Sequence, residues 1–459
     1  LFFTSVMNIC PGACVITKRK GRRVPKTTEH LMDRSKQPHI ESLTDFKLPL
    51  PERSVLANGI PITIVNAGTQ DVLRFDMLFR AGTWCQQQKL QALFTNRMLR
   101  EGTLKYSAKA IAETLDFYGA WLELSCGAEY SCITLFSLSR HFEKLLDILY
   151  SIITEPLFEE ERLATVVDMN IQQFKVNQDR VDFVAHRRLM NMLLGDTHPY
   201  GKLTTEEDYQ NINAELLRKY HYEHFHSANC TLFLSGSVTP QILASVQTVF
   251  GSHSFGRDKA EPTVCPVPVF TPSAKQTDFL EKENALQSAV CLGMPTLSRT
   301  DSQYHKFRVA LTLFGGYFGS RLVSNIREDK GYTYAIDAMM IHYPYSNYLM
   351  IHSACDNQYV DPLIKEVYRE MEVLKTELVG ESELSKVKNY MIGEMFRNYE
   401  SAFAVADAWM FAFTSKVPDT YFQESLKGIL ETTAEDIQRL ANEFFVKDVI
   451  KVVVAGHRV

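Results

Sequence analysis

Ala214-Glu215-Leu216-Leu217 opens a helical pattern that runs to Phe225, and Cys230-Thr231-Leu232-Phe233-Leu234-Ser235-Gly236 follows it as an apolar strand closed by glycine. The end of the chain repeats the figure. Ala434-Glu435-Asp436-Ile437 opens a helix through Phe445, and Lys451-Val452-Val453-Val454-Ala455-Gly456 follows. Ala214 to Gly236 and Ala434 to Gly456 have identical spacing, so a helix leading into a core strand is written twice. Between the two halves, Gly256 to Ala274 is rich in Pro and lacks apolar periodicity, which reads as a linker.

Working outward, Val55 to Val65 reads as a β-hairpin with Asn58-Gly59 at its turn, and Asp71 to Arg80 as a second strand. Helical patterns cover about 89–100 and 108–118, and strands about 120–125 and 130–137. Long helices follow at about 141–153, 159–178 and 181–194. The pattern predicts an α+β fold of two homologous domains, residues 44–255 and 277–459, joined by a linker at 256–276. Each domain is expected to be an antiparallel sheet covered by helices.

The 459 residues are 45% hydrophobic and 22% charged, which is ordinary globular composition with room for two or three cores. A net charge of −5 offers no argument for nucleic acid or an anionic membrane as partner, and no apolar run reaches the length of a membrane span. Nine scattered cysteines, with Cys126, Cys132 and Cys230 in strand-like runs, predict buried free thiols in a reducing compartment. Residues 1–43 form a basic tail expected to be disordered or peripheral. Its positive charges follow the weakly apolar start, the wrong order for a secretory signal, so the expected localisation is cytoplasmic. An organelle transit peptide and a natural start at Met32 both stay open. His221, His224 and His226 are the densest histidine group; helix-end capping and packing is the favoured reading over metal binding.

Several segments carry a resemblance. Leu93-Phe94-Thr95-Asn96-Arg97-Met98-Leu99 with Gly102-Thr103 resembles the zinc-binding helix of the pitrilysin/insulinase metallopeptidases, where the pattern is H-x-x-E-H, Met-Leu, two residues and Gly-Thr. Arg80-Ala81-Gly82-Thr83, His198-Pro199-Tyr200-Gly201 and Thr205-Glu206-Glu207 resemble further family segments. So do Phe314-Gly315-Gly316, Ser320-Arg321-Leu322, and Ile326-Arg327 through Tyr334. The two-domain length is similar to the mitochondrial-processing-peptidase and bacterial small-subunit branch, whose chains pair into a four-domain clamshell. The long glycine-rich loop of one processing-peptidase subunit is absent from Phe314 to Ser320.

The resemblance also marks departures. It places Leu93 and Arg97 at the two histidine positions, Asn96 at the general-base glutamate, and Gln172-Gln173 at the glutamate pair that supplies the third ligand. Leu has no donor atom, Arg is permanently cationic, and amides are poor zinc ligands. Asn cannot take a proton from water at neutral pH. No metal is therefore expected on this chain, and no peptidase activity from it alone. By contrast, Arg327 and Tyr334, seven residues apart, match the family pair that holds the substrate backbone and oxyanion. The resemblance implies a non-catalytic subunit of a heterodimeric zinc metallopeptidase. Arg327 and Tyr334 would bind substrate peptide, and the zinc would sit in a partner chain of similar length carrying H-x-x-E-H. The alternative is a peptide-binding or scaffold protein of the same fold with no peptidase partner.

Overall fold

The computed structural model describes residues 46–257 and 260–459; the basic tail and the proposed start at Met32 lie outside the described residues. The Asn-Gly hairpin forms between β1 (Glu52–Val55) and β2 (Pro61–Asn66), with Leu56 N donating to Ile60 O at 2.8 Å. Gly59 sits in the turn at φ 92°, a backbone that side-chain-bearing residues avoid.

The first sheet adds β3 (Val72–Phe79), β4 (Trp121–Cys126), β5 (Ser131–Leu138) and β6 (Cys230–Gly236), in the order β1-β2-β6-β3-β5-β4. The second comprises β7 (Thr277–Glu281), β8 (Gln287–Pro295), β9 (Thr333–Tyr343), β10 (Ser346–Asp356) and β11 (Lys451–Gly456), in the order β7-β11-β8-β10-β9. Setting β1 aside, both sheets obey one rule. The first strand of the half lies parallel to the last; the last then pairs antiparallel with the second, followed by the fourth and the third. The parallel pair arises because the helices of each half intervene between its first and last strands.

The repeated terminal glycines have a shared cause. A side-chain carbon on Gly236 would collide with the Val72 carbonyl of β3, and one on Gly456 with Ser288 of β8. In each half the last strand ends tight against the second strand, and only glycine fits there.

One face of each sheet carries its own core. Leu73, Phe75, Met77 and Phe79 of β3 pack with Leu145, Leu149 and Ile152 of the helix Phe142–Thr154. In the second half, Val290 and Leu292 of β8 pack with Leu363 and Val367 of the helix Val360–Thr376. The opposite faces are covered by exchange. The helix Val181–Leu194, from the first half of the chain, lies on β8 and β11 of the second sheet. Its Ala185, Leu189 and Leu193 share a core with Cys291, Met350 and Val453. The helix Ala402–Ser415, from the second half, lies on β2 and β6 of the first sheet.

Ion pairs clamp both exchanges. Arg188 Nε meets Asp278 Oδ2 at 2.6 Å, and Arg74 Nη1 meets Asp407 Oδ1 at 2.6 Å. Arg74 also bonds Asp76, fully buried on β3, at 2.9 Å, and Thr134 Oγ1 donates to the same carboxylate oxygen at 2.7 Å. Burial pushes the Asp76 carboxyl pKa up, against the pull of Arg74 and Thr134.

The linker is strapped down along its length. Cys265 forms a disulfide with Cys85, which corrects the expectation of free thiols for this pair; Cys126, Cys132, Cys230, Cys291 and Cys355 are free. The two partners lie 180 residues apart in sequence, so spacing could not pair them. Trp84 Nε1 donates to Pro266 O at 2.8 Å, and Ser273 N to Met192 O at 2.8 Å. A trypsin nick after Arg257 should therefore leave the two halves eluting together at full size. Their separation should require both denaturant and reductant. Release of either half by reductant alone, without denaturant, would contradict the exchange of helices as the main non-covalent bond between them.

Candidate functional site

The helix Gln91–Met98 is built as a packing element. Phe94 and Met98 are buried in the first core, and Leu93 packs against it. Asn96 is almost fully buried, and its Nδ2 donates to Ser125 O of β4 at 3.2 Å. An amide in that position ties the helix to the edge strand of the first sheet. Arg97 is half-buried, with no carboxylate partner among the described residues; burial pushes its pKa down, partly offset by Tyr209 and Cys126. On the helix Glu160–Asp179, Gln172 and Gln173 are both exposed, and Gln173 Nε2 is spent on Asn177 Oδ1 at 3.2 Å. These donors do not fit zinc: one side chain is a hydrocarbon, one a cation, the rest are amides, and those of Asn96 and Gln173 are engaged elsewhere. Among the described residues no three His, Cys, Asp or Glu side chains converge as a metal-holding group.

The histidine group is dispersed rather than convergent. His221 Nε2 bonds Ile153 O at 2.7 Å, and His224 Nδ1 bonds Thr263 Oγ1 of the linker at 2.9 Å, while His226 is buried. Within His198-Pro199-Tyr200-Gly201 the buried His198 accepts from Tyr200 N at 3.2 Å. The Tyr200 ring stacks on Tyr343 of β9 at 3.9 Å and meets Trp84 edge-on at 4.9 Å. That segment fastens the first half to the second sheet.

The structure brings Arg327 and Tyr334 together. Arg327 lies on the helical turn Val323–Asp329 and Tyr334 near the start of β9, an edge strand paired only with β10. The guanidinium carbon is 4.7 Å from the centre of the Tyr334 ring and 4.9 Å from that of Phe318. Tyr334 is 83% exposed and Phe318 64% exposed, so two solvent-facing rings flank one cation.

Neighbouring charges of the same signature are satisfied within the fold. Arg321 forms a two-pronged pair with Glu383 at 2.8 and 2.9 Å. Lys330 pairs with Glu366 at 3.2 Å, and Asn325 donates to Glu366 and Glu370 at 3.0 and 2.6 Å. The Lys330 and Asn325 contacts fix the turn on the helix Val360–Thr376, and Arg321 ties the segment before it to the helix Glu381–Arg397. Arg327 itself has no carboxylate partner among the described residues. Its donors and the Tyr334 hydroxyl can serve a carbonyl or carboxylate brought from outside. Phe318 escaped the sequence reading. The aromatic pair Tyr317-Phe318 between Gly316 and Gly319 was the available signal.

Burial also sets a pH response. It holds His221, His224, His305 and His342 at about 4, below the usual histidine value near 6.5. Between those values the unfolded chain binds more protons than the folded one, so stability rises with pH. The contribution is complete above about pH 6.5 and is lost as the pH falls toward 4. Denaturant midpoints should fall steadily from pH 7 to pH 4, and replacing His221 with an uncharged residue should flatten part of that slope. A flat profile would contradict neutral burial of these rings.

Comparison with known proteins identifies the family. The model described as "Insulinase (Peptidase family M16)" matches residues 70–218, and the one described as "Peptidase M16 inactive domain" matches residues 211–391. The "Uncharacterized zinc protease YmxG" of Bacillus subtilis is 25% identical over 354 residues, covering 76% of this chain and 85% of its own. The "Non-peptidase homolog YmxG" of Helicobacter pylori is 24% identical over 321 residues, covering 68% and 72%. Among solved structures, a peptidase M16 inactive domain from Pseudomonas fluorescens superposes with a TM-score of 0.78 at 22% identity, covering 89% of this chain and 98% of that one. A Helicobacter pylori protease gives 0.80 at 18% identity, covering 89% and 100%. With both halves matched in order and the fold shared along its length, the chain belongs to the insulinase (M16) peptidase family.

Proposed function

We propose that this chain is a non-catalytic subunit of a heterodimeric zinc metallopeptidase, lending Arg327 and Tyr334 to the active site of a partner that carries H-x-x-E-H. The observation that carries the reading is the contrast between two parts of one chain. Leu93, Asn96, Arg97 and Gln173 offer no set of metal donors, and Asn96 and Gln173 are committed to bonds inside the fold. Arg327 and Tyr334 remain in contact, open to solvent and uncommitted. A relative described as a non-peptidase homolog supports the inactive half of the reading.

In this role the chain grips substrate. Arg327 and the Tyr334 hydroxyl donate hydrogen bonds to a peptide carbonyl, and the two flanking rings hold the guanidinium in place. The β9 edge beside Tyr334 offers unpaired backbone groups to an extended peptide. Metal chemistry belongs to the partner.

The test is kinetic. Arg327→Ala and Tyr334→Phe should leave folding, heterodimer assembly and the zinc content of the complex unchanged. Turnover should nonetheless fall by about 10²–10³, the roughly 2.7–4 kcal/mol carried by a preorganised oxyanion donor. If the contacts grip substrate and transition state equally, the loss appears in KM instead. Unchanged kinetics in a verified heterodimer would overturn the reading and favour a scaffold. The chain purified alone should hold no stoichiometric zinc, and about one tightly bound zinc per chain would also overturn it.

A further inference from the structure

The second half contains a charged cavity separate from the Arg327 site. About 160 Å³ of open space lies between the helices Tyr304–Leu311, Glu381–Arg397 and Tyr421–Glu431. Arg308 reaches it from the first of these. Among the described residues its guanidinium makes one hydrogen bond, from Nη1 to Ser425 Oγ at 3.0 Å, and lies 6.0 Å from the centre of the Tyr304 ring. No carboxylate pairs with Arg308 among the described residues. Arg74, Arg188 and Arg321, also half-buried, each have an acidic partner; Arg308 shares its lack of one with Arg97 and Arg327, and of these three it alone lines the cavity.

A second cation stands nearby. Arg299 donates to Ser415 Oγ at 3.3 Å and lies 4.7 Å over the Phe411 ring, and its Nε is buried without an acceptor. Both arginines act on His342 and Tyr421, and both rings keep their uncharged forms, chiefly through burial. His305 Nδ1 and His342 Nε2 are also buried without partners. The acids close by are already engaged: Glu394, on the cavity wall, pairs with Arg397 at 2.6 Å, and Glu424 accepts from Thr420 Oγ1 at 2.7 Å.

The cavity wall is otherwise rich in neutral donors. Asn398, Tyr390 and Tyr399 line it, and Asn398 makes no side-chain hydrogen bond among the described residues. A half-buried guanidinium with no carboxylate partner keeps part of its donor edge free, and an oxyanion can accept from that edge. The volume is too small for a folded peptide segment and ample for a compact anion.

We infer that this cavity is a binding site for a small oxyanion, a carboxylate or a phosphate group, held by Arg308 with Ser425 and Asn398 beside it. The probes are inorganic phosphate and acetate, titrated separately into the full chain by calorimetry at constant chloride ionic strength. The expected result is saturable one-to-one binding of at least one of them. Preference between the two separates a phosphoryl from a carboxylate ligand.

Arg308→Gln should weaken binding by about tenfold or more, as loss of a charged donor does. Arg308 also braces Ser425, so Asn398→Asp provides a second variant. It is isosteric, sits at the exposed mouth, and should abolish binding through like-charge repulsion while the circular dichroism spectrum stays unchanged. No saturable heat with either probe at millimolar concentration overturns the inference. So does binding that survives Asn398→Asp at full strength.

Discussion

Each sheet has two apolar faces, but its own half of the chain covers only one of them. That constraint organises the molecule. The second face of each sheet is sealed by a helix from the other half, Val181–Leu194 on one side and Ala402–Ser415 on the other. Burying a large apolar side chain contributes roughly 1.5–3 kcal/mol, so Leu189, Met190 and Leu193 on one exchanged helix, with Phe403 and Phe413 of the other against Phe136 and Phe233, carry a large share of the bond between the halves. Arg74 adds a cost to separation. Separation would break the Arg74–Asp407 pair and open to water the Arg74 side chain, now 11% exposed, on which the buried Asp76 depends.

Reciprocal covering explains where freedom is tolerated. The helix Gln91–Met98 is wedged between the first core and β4: Leu93 packs against that core and Asn96 is tied to β4, while Gln172 and Gln173 lie exposed on the helix Glu160–Asp179. Asn96 shows the trade in one side chain. A glutamate there would place a carboxylate against the Ser125 carbonyl; an amide turns the same reach into a donated hydrogen bond.

Much of this architecture was legible in the sequence. The strand and helix pattern of the first half, the Asn-Gly hairpin and the twofold helix–strand figure follow from local periodicity and turn chemistry, and their glycines from a close approach that recurs in both halves. The exchange of helices was not legible. Val181–Leu194 carries an apolar face that any sheet could bury, and nothing local says which one does. The Cys85–Cys265 bond was hidden for a related reason, since the strapped path of the linker alone brings those residues together. At the candidate site, Arg327 and Tyr334 were readable only through their resemblance to a family signature. Phe318 had no motif to mark it, because an exposed ring reads as surface until the guanidinium is seen against it.

The two halves of the site differ in what sustains them. A zinc centre depends on several ligands at once, so losing one removes the reason to keep the rest, and the positions drift toward whatever packs best. A hydrogen-bonding pair on a rigid edge strand has no such interdependence with the metal. Arg321, Lys330 and Asn325 hold its turn through their own partners, with no contribution from the helix Gln91–Met98. Arg327 is left without a carboxylate partner among the described residues, beside Arg321 and Lys330, which each have one, so the turn holds its place without using that charge.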